Sequence, residues 1–210
     1  IAGLTGVLLF VLLFSRVGWA FGGGGPAIIS RAFGADNDEK AHHTFGNQLI
    51  LALGLSISLA ALGLIFTDEA LALFGAQGEV LAPARIYYTI TMAAAPLLAM
   101  VMAGNPTIRA EGKPTFSMIA LIVPSVVNLI LDYILIVVYD FGIAGAAYAT
   151  AFSYLFSFLY ITWFFTSSHS ELQIKLKCLR LEWPIVREIG ALGGVTLARQ
   201  GVISVLSIIL

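Results

Sequence analysis

Apolar runs of membrane-crossing length alternate with short polar turns along this chain, and six spans can be read from the pattern. The first extends from about Gly3 to Ser30 and is broken only by Arg16. A polar turn from Arg31 to Lys40 follows, with Asn37 or Asp38 placed to cap the next helix. The second span covers about Phe45 to Phe66. After it, Thr67 to Gly75 has a cap, an acidic first turn and a terminal glycine, the signature of a short interfacial helix. The third span is about Ile86 to Ile108, with Pro96 and Pro106 inside it. The turn Arg109 to Pro114 leads to a fourth span, Thr115 to Tyr139, and a fifth, about Ile143 to Phe165. A polar stretch from Thr166 to Arg187 precedes the sixth, which runs to the last residue. Crossing a hydrocarbon layer of about 30 Å takes about 20 helical residues, a length these runs meet.

Composition agrees with the pattern. Of the 210 residues, 59% are hydrophobic and 11% charged, less than half the roughly 25% charge of a soluble domain. The reading is an all-α polytopic membrane protein. Basic residues fall in every second loop: Arg31 and Lys40, then Arg109 and Lys113, then Lys175, Lys177, Arg180 and Arg187. The alternate loops hold Asp68, Glu69, Glu79 and Asp140, with Arg85 the single basic residue. The positive-inside rule makes the first set cytoplasmic, so one further helix is expected ahead of Gly3. The lack of an initial methionine and the apolar last residues make both ends read as cut, so the chain is expected to be part of a longer protein. One cysteine, Cys178, excludes a disulfide framework. The run Gly22 to Gly25 follows no strand and lacks a following Gly-Lys-Ser/Thr, so it reads as helix packing or a flexible kink and not as a phosphate cradle.

Candidate chemistry concentrates between Pro124 and Thr150. Asn128 and Asp132 are four residues apart and share a helix face. Asp132 is the one carboxylate that cannot be placed in a loop or at a membrane boundary, and an ionisable group at that depth costs about 3 kcal/mol on insertion scales. Counting from Tyr139 and from Ile143, Asp132 and Thr150 both lie about 10 Å below the outer surface. Oxygens from Asp132, Asn128 and Thr150 would suit a hard monovalent cation such as Na⁺, and a desolvated Asp132 would alternatively carry a proton. The plainer alternative is that the three side chains satisfy one another inside the bundle. Arg16 and Arg199 are charges near mid-depth that either line a water-filled pathway or pair with a carboxylate or carbonyls. His42 and His43, being adjacent, diverge on a helix and form no chelating pair; they read as loop residues at the membrane surface. No metalloprotease or nucleophile-elbow motif occurs, so the chain is not read as an enzyme, and nothing points to nucleic acid.

Four segments in register resemble the multidrug and toxic compound extrusion (MATE) family: Ile29 to Asn37, Ile108 to Pro114, Val127 to Asp132 and Gly142 to Thr150. The resemblance implies a partial MATE-type helical bundle, covering helices two to seven of twelve in two six-helix lobes. Residues 1–167 would be N-lobe spans, 168–185 the cytoplasmic inter-lobe linker, and 186–210 the first C-lobe helix. It implies a monomeric secondary exporter in a prokaryotic cell membrane, moving amphipathic organic compounds by alternating access and coupled to Na⁺ or H⁺, with no other cofactor. The family's coupling site, an Asn and an Asp on helix five and a Thr on helix six, falls on Asn128, Asp132 and Thr150. The aspartate that relatives carry on helix one lies outside this chain. An acidic residue within helix seven, found in some relatives, has no counterpart: that helix offers Arg199 and Gln200, which with Arg16 are candidate cavity-lining residues. A lipid-linked saccharide flippase of the same superfamily is the alternative, since an anionic pyrophosphate cargo would suit the two arginines.

Overall fold

The computed structural model describes residues 24–73, 81–173, 178 and 180–209, without the side chains of Leu73 and of most residues from 196 onward. Every regular element among them is helical. A first helix, α1, covers 24–34. It is followed by α2 (Asp38–Ile65), the short α3 (Thr67–Leu73), α4 (Leu81–Ala110), α5 (Pro114–Asp132), α6 (Gly142–Thr166) and α7 (Trp183–Ile209), and α5 runs on as a π-helical segment, Tyr133–Val138. Helices α2, α4, α5 with its π segment, and α6 are each long and apolar enough to cross a membrane. The first predicted span lies mostly outside the described residues.

Local chemistry sets the boundaries. Asn37 caps α2, its side-chain oxygen accepting from the Lys40 amide at 3.0 Å, and Asp38 and Glu39 occupy the positive first turn. The helix therefore starts at Asp38, ahead of the apolar run, and His42 and His43 lie in its second turn. That corrects the expectation that both are loop residues. Pro114 opens α5, where its missing N–H costs nothing. Between α5 and α6 the chain reverses through Asp140 and Gly142, both at φ near +53°, the left-handed region that glycine and aspartate tolerate.

Packing uses small residues in place of a large apolar core. On α6 the buried positions Gly145, Ala149, Ser153, Ser157 and Ile161 recur every four residues and form one stripe. A Cβ on Gly145 would come within 3.1 Å of the Leu135 backbone, so α6 meets the π segment almost backbone to backbone. Further down, Pro124 leaves the carbonyl of Ala120 without its helical donor, and the Ser157 hydroxyl donates to that carbonyl across the helix interface at 3.2 Å. The buried aromatic rings Phe45, Phe164 and Phe165 fill the lower centre with Ile108, Ala120 and Leu172.

Of the two expectations for the glycine run, packing is the one seen at Gly24 and Gly25. A Cβ on Gly24 would lie 2.3 Å from the Ile189 carbonyl oxygen of α7, and one on Gly25 would lie 2.2 Å from Gln48 Oε1 of α2. Gly22 and Gly23 lie outside the described residues.

Candidate functional site

Asn128 and Asp132 sit one turn apart on the last part of α5, and Asp132 is its final α-helical residue before the π segment. Along this stretch Pro124, Val127, Asn128, Leu131, Asp132 and Leu135 are half-buried, whereas Leu129, Ile130 and Tyr133 are exposed. The acid thus lies on the face turned to the bundle and away from the exposed stripe. Its Oδ1 atom is buried and has no hydrogen-bond partner among the described residues. An unsatisfied acceptor in an apolar setting is costly and fits a site whose ligand is a cation or a proton.

Thr150 stands on α6, the helix against which α5 packs. Its hydroxyl donates to the Ala146 carbonyl of its own helix at 2.9 Å. Neither Asn128 nor Thr150 hydrogen-bonds Asp132 among the described contacts. The arrangement in which the three satisfy one another is therefore not the one seen, and the carboxylate oxygen stays unpaired. Where π turns replace α turns, the hydrogen-bond ladder changes register, and such turns recur at functional sites. Here the change begins at the residue after Asp132. Among the described residues no three His, Cys, Asp or Glu side chains converge as a metal site, so an ion here would rely on amide and hydroxyl oxygens beside the one acid.

Arg16 and the side chains of Arg199 and Gln200 lie outside the described residues; only the helical backbone of the last two is seen, within α7.

Sequence reasoning passed over a second polar group, at the opposite end of the bundle. Asn105 and Ser117 bond reciprocally, the Asn105 amide donating to the Ser117 carbonyl at 2.8 Å and the Ser117 hydroxyl to Asn105 Oδ1 at 2.9 Å. Gln48 donates to the Ala103 carbonyl at 3.0 Å and accepts from Thr107 at 3.4 Å. These pairs tie α4 to α5 and to α2. An amide two or three residues inside an apolar run from its basic loop was the available signal.

Outside the spans, Glu111 in the α4–α5 turn accepts from the Ser170 hydroxyl at 2.7 Å and from the Leu172 amide at 3.2 Å, while its second oxygen is buried without a partner among the described residues. Burial raises its pKa above the ordinary glutamate value, and the bonds from Ser170 and Leu172 with the charge of Lys113 offset only part of that rise.

Comparison with known proteins bears on the whole arrangement. Residues 1–134 match the MatE family model. Among curated proteins the chain is similar to the multidrug export protein MepA of Staphylococcus aureus strain MRSA252, at 31% identity over 88% of this chain and 41% of that protein. MepA of Staphylococcus haemolyticus is 30% identical, with the same coverage. The chain thus spans about two fifths of the length of these relatives. Its fold is similar to an inward-facing multidrug resistance MATE transporter of the MOP superfamily, with TM-score 0.81 and 28% identity over 91% of this chain and 43% of the other. It is likewise similar to a MOP-superfamily transporter from Pyrococcus furiosus, with TM-score 0.84 and 27% identity over 97% of this chain and 45% of that one.

Proposed function

Since the chain belongs to the MatE family of multi-pass membrane transporters, we propose that the full-length protein is a cation-coupled secondary exporter of amphipathic organic compounds in a prokaryotic cell membrane. In this reading Na⁺ or H⁺ moves inward through Asp132 while the compound moves outward by alternating access, and the transporter works as a monomer. The observation that carries it is the Asp132 oxygen, buried on the bundle-facing side with no partner among the described residues. A carboxylate kept in that condition has something to gain from a cation or proton, and occupancy can then bias a two-state equilibrium through differential affinity. Asn128, one turn below, and Thr150, on the adjoining helix, are the neutral oxygens available to complete a Na⁺ shell.

The π segment beside the acid and the tight Gly145 contact supply mechanical coupling. A change at Asp132 alters the first residues of a segment that touches the α6 backbone directly. The flippase alternative depended on Arg16 and Arg199, and the curated relatives named above are multidrug exporters.

Drug resistance in cells lacking their own exporters provides the test. Asp132→Asn in the full-length protein is expected to abolish resistance with membrane abundance unchanged. Wild-type resistance in that variant would remove Asp132 from the mechanism.

A further inference from the structure

One inter-helix contact lies far from Asp132 and takes no part in the coupling chemistry. On α2 the side chains of Lys40, His43 and Asn47 occupy one face, three and four residues apart. All three meet the entry to α7. Lys40 Nζ lies 3.0 Å from Glu188 Oε2, and His43 Nδ1 meets Glu182 Oε1. The Glu182 backbone N–H donates to Asn47 Oδ1 at 2.7 Å, and the Asn47 amide holds its own orientation by donating to the His43 carbonyl at 2.8 Å. Beneath this polar row, Ile185 and Ile189 of α7 close on Ile28 of α1, with Leu51 of α2 alongside. A cleft of about 430 Å³ runs beside the row.

We propose that this row is a cytoplasmic latch, which holds the two lobes together on that face and releases when the transporter opens inward. The inference rests on the two-lobe reading, in which α7 is the first helix of the second lobe. Two observations distinguish a latch from ordinary packing. First, the charged members are partly exposed, Lys40 by 42% and Glu188 by 39% of the side chain, and ion pairs in contact with water exchange readily with solvent. A joint that opens in each cycle requires that weakness. Second, the linker ahead of α7 is fastened separately and internally. Glu111 holds Ser170 and Leu172, Lys113 donates to the His169 carbonyl, and Leu172 is fully buried in the first-lobe core. The linker's first part therefore stays with the first lobe, and the row is the place where α2 and α7 must part.

The test uses the full-length transporter, with Cys178 replaced by serine, in nanodiscs. Spin labels on the cytoplasmic ends of the two lobes report their separation. Glu182→Gln with Glu188→Gln keeps the shape and the backbone bond to Asn47 while removing both charges, and is expected to add a longer-distance population. Lys40→Glu alone should do the same, and Lys40→Glu with Glu188→Lys should restore the wild-type distribution. Glu111→Gln, which touches the internal fastening only, should leave the distances unchanged. An unchanged distribution in both charge-removing variants overturns the latch, as does a swap that fails to restore the wild-type distances. The readout needs no substrate, so a protein that moves no drug yet opens on cue would lose the exporter assignment and keep the latch.

Discussion

Ser157 shows how one hydroxyl can compensate for a proline inside a helix of membrane-crossing length. Pro124 removes a helical donor from Ala120, and an unsatisfied carbonyl in hydrocarbon is costly, so the neighbouring helix supplies the missing proton. Interhelical bonds of this kind contribute on average about 0.6 kcal/mol, and at most about 1.7. Ser157→Ala is therefore expected to lower the thermal midpoint in detergent by a few degrees, while Ser157→Thr, which retains the hydroxyl, should lower it less. Equal losses would show that side-chain volume and not the bond matters. Glu111 makes a second residue-scale prediction. Its pKa is raised by burial, so the folded protein holds this proton above the pH at which the unfolded chain releases it. Stability contributed there is full in acid and is lost as pH rises through the folded value. In Glu111→Gln, whose amide oxygen can still accept from Ser170 and Leu172, that decline should flatten, as measured by thermal inactivation between pH 4.5 and neutrality. An unaltered slope would contradict the assignment.

Among the elements, four spans, the interfacial α3 and the Asn37 cap were legible before any coordinates, because each has a local cause: a run of apolar residues, an acidic first turn, a capping amide. The π segment after Asp132 was not. No residue among Tyr133–Val138 announces it; within it Leu135 lies against Gly145 of α6. The α6 stripe was half legible. Gly145 and Ala149 are small residues four apart, a local signal, whereas the role of Ser157 depends on the Ala120 carbonyl of another helix. Likewise the two histidines were misplaced because a cap can extend a helix beyond its apolar run. At this scale Gly24→Val is informative. Its side chain would meet the Ile189 carbonyl, so α1 must separate from α7, and the variant should fall in thermal stability by more than a Gly54→Val control, whose position faces open space. Equal stability of the two would show that the α1–α7 contact is loose.

Across the whole molecule, interhelical polar bonds fasten the helices while a few buried polar atoms, Thr44 Oγ1, Glu111 Oε2 and Asp132 Oδ1 among them, have no partner among the described residues. Gln48, Asn105, Thr107 and Ser117 bond across helices and fasten α2, α4 and α5 together at one end. Toward the other end Asp132 keeps a buried oxygen without a partner among the described residues, where the α-helix passes into its π extension. In the proposed mechanism this acid is the group that matters, since an ion can bias two states only where its binding differs between them. The measurement that tests this most directly is gradient-driven transport in proteoliposomes holding the full-length protein. An imposed Na⁺ or H⁺ gradient should drive accumulation of a fluorescent amphipathic cation in the wild type. In Asp132→Asn accumulation should fall to the level seen without a gradient. Equal gradient-driven accumulation by the two proteins would contradict the account.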